Sequence, residues 1–71
     1  MSDLKTWRIE RSLTQSDVAA SIGTTTPTVS RIEAGEQWPG AELMARIERI
    51  TDGAVTASDI LARYSKQQAA E

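Results

Sequence analysis

The feature that most constrains the fold of this chain is a helix stop followed almost at once by a helix start. The stop is Gly23, because glycine most readily takes the positive φ found after a helix. The start is Thr25 followed by Pro27, since threonine caps helices and proline is tolerated in their first turn. Apolar residues recur at helical spacing on both sides, at Val18, Ala19 and Ile22 and then at Val29 and Ile32. The sequence therefore predicts two short helices over 15–34, joined by a tight turn.

Further start and stop signals predict three more helices. Residues 14–17 form a capping box with Asp17 in place of the usual glutamate, and residues 56–59 form a second box. The outer helices are expected at about Leu4–Ser12 with Ser2 or Asp3 as N-cap, at about Ala41–Thr51 closed by Gly53, and from the second box to about Tyr64. No segment alternates as a strand would. We expect an all-α, compact five-helix domain over 1–64 and a flexible, frayed tail over 65–71.

The predicted core follows from the same spacing. Its expected members are Leu4, Trp7, Leu13, Val18, Ala19, Ile22, Val29, Ile32, Leu43, Ile47 and Ile50. Helix 5 adds Ile60, Leu61 and Tyr64, which so small a domain cannot easily bury together. These three residues therefore predict either an exposed apolar patch that binds a partner or the completion of the monomer core.

Composition excludes several classes of function. The 71 residues include no cysteine and no histidine, which excludes disulfides, thiolate zinc sites and thiol or imidazole catalysis. The sequence shows no glycine-rich phosphate loop, metal-ligand cluster or pair of catalytic carboxylates. We expect no enzyme activity, cofactor, metal or small-molecule substrate. Without a long apolar run or a signal-peptide pattern, we expect a cytoplasmic protein with no membrane partner.

The charge is unevenly distributed along the chain. The formal net charge is −2, whereas a nucleic-acid-binding domain is usually basic. Up to Arg31, four basic side chains face three acidic ones, and after it four basic side chains face seven acidic ones. The acidic excess therefore lies mainly outside the predicted helix pair.

The second helix of this pair has an N-terminal end suited to the major groove of DNA. That groove is about 12 Å wide and admits one helix. Thr25, Thr26 and Thr28 supply hydroxyls and methyl groups, and the Arg31 guanidinium matches the acceptor pair of guanine. The alternatives are that the threonines serve only as caps or solvent-exposed residues, and that Arg31 forms a surface salt bridge with Glu33 or another neighbour.

The chain resembles a known family through a set of short motifs. These are Leu13-Thr14-Gln15, Val18-Ala19, Ile22-Gly23-Thr24-Thr25, Val29-Ser30-Arg31-Ile32-Glu33 and Gly35. They are similar to the helix-turn-helix domains of lambdoid phage repressors and Cro proteins, and of the related XRE-like bacterial regulators. The likeness extends from Leu4 to about Leu61. It implies a lambda-repressor-like fold that binds double-stranded DNA.

The resemblance also implies roles for individual residues. Gln15 would contact a phosphate and brace the helix that enters the groove, and Arg8 would form a structural ion pair with Glu33. The implied DNA-contacting set is Gln15, Ser16, Thr25, Thr26, Pro27, Thr28, Arg31 and Trp38. Trp38 has a second interpretation, as a hydrophobic staple that seats helix 4. The implied dimer interface consists of Ile60, Leu61 and Tyr64.

Three departures from the family pattern limit which properties of the family can be assigned to this chain. Ser12 stands where many members carry glycine, Pro27 replaces a base-reading polar side chain, and threonines replace common glutamines. The operator sequence therefore does not transfer, and DNA deformability is expected to contribute to specificity.

The function expected from these features is sequence-specific transcriptional regulation. The protein would be a repressor or Cro-like regulator from a prophage or mobile element, and it would bind a near-palindromic operator as a homodimer. The alternative is an antitoxin-like or adaptor module that binds protein, which the net charge of −2 favours. A DNA-binding protein would lose affinity steeply with salt and would fail when Arg31 is removed, whereas an adaptor would be insensitive to Arg31→Ala.

Overall fold

A computed structural model describes residues 3–69, and side chains within residues 3–66. Five α-helices follow one another: α1 Leu4–Glu10, α2 Gln15–Ile22, α3 Thr26–Ala34, α4 Gly40–Ile50 and α5 Ala57–Ala69. No strand occurs in this part of the chain. The predicted all-α fold of five helices is confirmed. None of these helices has the length and apolar character needed to cross a membrane.

Side-chain caps begin α1, α2 and α5 where the sequence predicted them, whereas α4 begins at Gly40 without a side-chain cap. Asp3 Oδ1 accepts the Thr6 N–H at 2.8 Å, which makes Asp3 the N-cap of α1; Ser2 lies outside the described residues. In the first capping box, Thr14 Oγ1 accepts the Asp17 N–H at 3.0 Å, and the Asp17 carboxylate accepts the Thr14 N–H at 2.8 Å. A second reciprocal box starting at Thr56 precedes α5. Both predicted capping boxes are confirmed.

The first four helices end in a common hydrogen-bonded motif, in which one residue takes the left-handed conformation. That residue is Ser12 (φ +57°), Gly23 (φ +73°), Gly35 (φ +79°) or Asp52 (φ +53°), in chain order. The N–H of the next residue then donates to the carbonyl five positions earlier, at 2.9–3.0 Å. The prediction that Gly53 ends α4 was wrong by one position, because Asp52 takes this role.

The core lies where α2 packs against α3 and α4, and where α3 packs against α5. Its buried apolar residues are Leu4, Trp7, Val18, Ala19, Ile22, Val29, Ile32, Met44, Ile47, Val55 and Ile60. Leu13, Leu43 and Ile50 are partly buried against it, as members of the predicted set. The prediction missed Met44, which is more buried than Leu43, and Val55, which lies in the loop before α5.

Helix α5 is longer than predicted. It continues to Ala69, whereas the sequence predicts an end at about Tyr64 and a frayed tail over 65–71. Residues 65–69 contain no glycine or proline and include lysine, glutamine and alanine, which favour helix. Residues 70 and 71 lie outside the described residues.

Candidate nucleic-acid interface

The turn between α2 and α3 is held in place from α4. Gly23 has φ +73° and ψ 35°, and Thr25 returns the chain to extended backbone before α3 begins. The Arg46 Nη1 atom donates to the Ile22 carbonyl at 3.1 Å. A Cβ atom on Gly23 would lie 3.0 Å from that nitrogen. The positive φ therefore favours glycine here, and a Cβ atom would also push the Arg46 guanidinium away by a few tenths of an ångström. The contact with Arg46 was not predicted from the sequence.

The N-terminal end of α3 exposes small side chains. Thr25 is the N-cap, and its Oγ1 accepts the Thr28 N–H at 3.4 Å and lies 2.9 Å from the Thr28 Oγ1. The capping role predicted for Thr25 is confirmed. Thr26 and Pro27 are exposed, and Thr28 is half-buried. The Thr25 and Thr28 hydroxyls are hydrogen-bonded to each other. Of the three threonine hydroxyls, that of Thr26 is therefore the most available to an external partner.

Arg31 lies one helical turn beyond Pro27, and its side chain is exposed. The described residues contain two ion pairs, Arg8 with Glu33 and Arg46 with Glu42. Arg31 belongs to neither pair. The alternative interpretation, a salt bridge between Arg31 and Glu33, is wrong because the Glu33 carboxylate is buried against α1 instead.

A buried polar network joins α1, α2 and α3. Arg8 donates from Nε to Glu33 Oε2 at 2.7 Å and from Nη2 to Oε1 at 3.1 Å. The Gln15 Nε2 donates to the same Oε1 at 3.1 Å, and Arg8 Nη1 donates to the Leu13 carbonyl at 3.0 Å. The hydrogen bond to Glu33 raises the pKa of Arg8 above its ordinary value. The predicted ion pair is confirmed, and Gln15 is braced against α3 through Glu33.

Two other predicted DNA-contacting residues lie at the edges of this surface. Ser16 is exposed in the first turn of α2. Trp38, in the loop between α3 and α4, is 40% exposed. Its ring meets Tyr64 of α5 edge to face, with 5.8 Å between centroids. Neither sequence interpretation of Trp38 anticipated this aromatic pair.

The predicted dimer residues divide between core and surface. Ile60 is 3% exposed and belongs to the core, so its assignment to an interface was wrong. Leu61 is 51% exposed, and Tyr64 is half-buried beside Trp38. The apolar surface of this region, here named the α5 patch, therefore consists of Leu61, Tyr64 and Trp38.

The described residues offer no group of three or more acidic side chains that could hold a metal ion. The chemistry available at the surface of α2 and α3 is instead hydrogen bonding from hydroxyls, an amide and a guanidinium. Such groups bind base edges and phosphates, and they need no cofactor to do so.

Two short helices joined by a tight turn, with the second exposing threonine and arginine side chains, define the helix-turn-helix class. The comparison with protein families supports this class directly. The family model described as Helix-turn-helix matches residues 4–56, about three quarters of the chain. The chain belongs to this Cro/repressor-type family of DNA-binding transcription regulators. The comparisons with curated proteins and with solved structures found no match.

The family match covers α1 to α4 and ends just before α5. The four matched helices carry the turn, the exposed end of α3 and the buried network described above. The place of α5 is known only from the structure, which packs it against α3.

Proposed function

We propose that this chain is a sequence-specific regulator that binds double-stranded DNA and represses transcription, as a repressor or Cro-like protein of a prophage or mobile element. It acts in the cytoplasm by occupying an operator and excluding polymerase. The observation that carries the proposal is the exposed Arg31 on a helix that the Arg8–Glu33–Gln15 network holds in position.

Base recognition in this proposal comes from the exposed face of α3. Arg31 donates two hydrogen bonds to a guanine, since its guanidinium is in neither ion pair of the described residues. Thr26 and Thr28 contribute a hydroxyl and a thymine-contacting methyl group. Pro27 has no N–H and no polar atom on its side chain, so it contributes shape and apolar contact at the leading end.

Phosphate contacts flank this face. Gln15 has a second amide hydrogen beyond the one that Glu33 accepts, and Ser16 beside it has an exposed hydroxyl. Both lie in the first turn of α2, where unpaired N–H groups also favour an anion. Thr25 and the Trp38 indole N–H are the proposed contacts to the backbone on the other side of α3. These contacts fix the position of α3 in the groove without specifying bases.

The proposed active form is a homodimer on a near-palindromic operator. Its interface is the α5 patch, whose Leu61 is 51% exposed. A two-fold dimer would place two α3 helices about 34 Å apart, in successive major grooves on one side of the DNA. The half-site spacing of the bound DNA would therefore report the dimer geometry.

The proposal is tested by selecting DNA from a randomised duplex pool and measuring its binding by fluorescence anisotropy. We expect Arg31→Met to weaken binding to the selected duplex about 5- to 150-fold for each half-site, the effect of losing one bidentate base contact there. Arg49→Met, which removes an exposed arginine from α4, is the matched control and should change affinity less than twofold. Random DNA should bind both variants almost equally.

The opposite result has a clear meaning. If selection enriches no sequence, and the wild-type chain binds no duplex even at low salt, then the fold serves as a protein-binding module. The net charge of −2 would then favour a basic protein partner.

A further inference from the structure

A polar pocket lies beside the helix-turn-helix unit, among α1, α2, α3 and α5. Its volume is about 210 Å³, and its lining residues are Lys5, Gln15, Ser30, Glu33, Ala34 and Arg63. A water molecule occupies about 30 Å³ in the liquid, so the pocket can hold a phosphate-sized group with some of its water. Lys5 and Arg63 come from opposite ends of the chain, and neither residue belongs to the helix-turn-helix motif.

The charges around this pocket favour an anion. Lys5 and Arg63 are exposed cations, whereas the Glu33 carboxylate is already paired with Arg8. Asp59, one turn before Arg63 on α5, is hydrogen-bonded to Thr56, and Asp3 caps α1 through the Thr6 N–H. That hydrogen bond lowers the Asp3 pKa, and the nearby charges of Arg63 and then Lys5 lower it further.

Neutral donors complete the lining. The Ser30 hydroxyl is exposed and makes no hydrogen bond within residues 3–66. The Gln15 amide donates one hydrogen to Glu33 at 3.1 Å, which leaves its second hydrogen available. Two cations with a hydroxyl and an amide donor form the combination that proteins use to hold the phosphates of nucleic acids.

The pocket borders the surface of α3 that the proposed function places in the major groove. Ser30 and Ala34 are one turn apart on α3 and line the pocket. Pro27 and Arg31 are also one turn apart and lie on the adjacent face of the same helix. A group in the pocket would therefore lie beside the groove, where the DNA backbone runs.

We infer that this pocket binds one phosphate of the DNA backbone, held between Lys5 of α1 and Arg63 of α5. The inference rests on the proposed function and extends it. Helix α5 then has a role in DNA binding besides packing against α3.

The test compares Lys5→Met/Arg63→Met with a matched control, Lys66→Met/Arg49→Met. Each variant loses one lysine and one arginine, but the control residues are exposed and do not line the pocket. Circular dichroism establishes that both variants are folded. Anisotropy then gives the affinity for the selected duplex between about 50 and 200 mM salt, an interval over which phosphate contacts dominate the change.

We expect the pocket variant to reduce the log–log salt slope of the proposed dimer by about 1.8, the value for one phosphate in each of two half-sites. Its affinity should then fall about 12-fold less than that of the wild type across the fourfold change in salt. The control should keep the wild-type slope. Methylphosphonate substitution, one position at a time, should identify one phosphate in each half-site whose neutralisation weakens the wild type and the control but not the pocket variant.

Three results would overturn the inference. A pocket variant with the slope of the control would exclude the pocket as a phosphate site while leaving DNA binding intact. A wild-type chain that binds no duplex would defeat the proposed function together with this inference. Saturation of Ser30 and Arg63 NMR shifts by micromolar inorganic phosphate, with an unchanged DNA slope, would assign the pocket to a free anion.

Discussion

Replacing Arg8 by methionine removes one partner of the buried ion pair that ties α1 to α3. The Arg8 and Glu33 side chains are only 13% and 4% exposed, and two hydrogen bonds of 2.7 and 3.1 Å join them. Methionine keeps the apolar stem but leaves the Glu33 carboxylate buried with the Gln15 amide as its hydrogen-bond donor. Removing one partner of a buried pair costs about 3–5 kcal/mol of folding free energy.

That loss is large for a chain of this size. At roughly 0.05–0.15 kcal/mol per residue, a 71-residue domain has a free energy of unfolding of about 4–11 kcal/mol. We therefore expect Arg8→Met to lose about a quarter or more of the stability. Arg8→Met/Glu33→Met should recover most of it, because an apolar pair of similar volume often replaces a buried ion pair at little cost. A residual loss of about 1 kcal/mol is expected from the Arg8 hydrogen bond to the Leu13 carbonyl.

Urea unfolding followed by far-UV circular dichroism, at one fixed protein concentration, measures these differences. Arg49→Met is the control, since an exposed arginine on α4 should change stability by no more than about 0.5 kcal/mol. The reasoning fails if Arg8→Met costs less than about 1 kcal/mol, the value of an exposed pair. It also fails if the double variant is as unstable as the single one.

Three further predictions address the turn, the α5 patch and a helix cap. Gly23→Ala should destabilise the fold by more than the roughly 1–2 kcal/mol of left-handed strain, because its Cβ also meets a guanidinium nitrogen at 3.0 Å. Gly53→Ala is the control, because its added Cβ would have the same left-handed strain but no heavy atom within 4 Å. Equal urea midpoints for the two variants would show that the contact with Arg46 has no effect on stability. Leu61→Glu should convert the proposed dimer to a monomer in sedimentation experiments, whereas Ile9→Glu, which changes a similarly exposed residue of α1, should not. Equal effects of the two substitutions would exclude the α5 patch as the interface. The N-cap hydrogen bond holds the pKa of Asp17 below 3.8, so its stabilisation is present above the unfolded pKa and is lost as pH falls through the folded value. Asp17→Asn should therefore flatten the acid side of the stability profile, and an unchanged profile would refute this.

The helix starts and most of the stops could be predicted from the sequence because their causes are local. The hydroxyl of Thr14 or Thr25 meets an N–H three residues ahead, so the signal lies within one turn. Gly23 and Gly35 mark stops for the same reason, as residues that tolerate a left-handed backbone. The pair of Arg8 with Glu33 was expected only through the family resemblance, since no local pattern joins two residues on different helices.

The features that could not be predicted from the sequence are determined by tertiary contacts, and no local sequence pattern marks them. Val55 is fully buried in a loop, where no helical periodicity marks a core position. Met44 is buried more deeply than Leu43 because the packing of α4 decides which neighbouring apolar residue faces inward. The pocket between Lys5 and Arg63 joins α1 to α5, and only the folded chain brings these residues together.

The central claim is that α3 reads DNA bases through Arg31. The most direct measurement replaces each guanine of the selected duplex, one at a time, by a deaza analogue that lacks the N7 acceptor. Affinity is then measured for the wild type and for Arg31→Met. We predict one guanine in each half-site whose replacement weakens the wild type about 2- to 13-fold, the effect of losing one hydrogen bond of the bidentate pair, and changes the variant less than twofold. If every replacement affects both proteins equally, Arg31 reads no guanine and the assignment of α3 as the base-reading helix is contradicted.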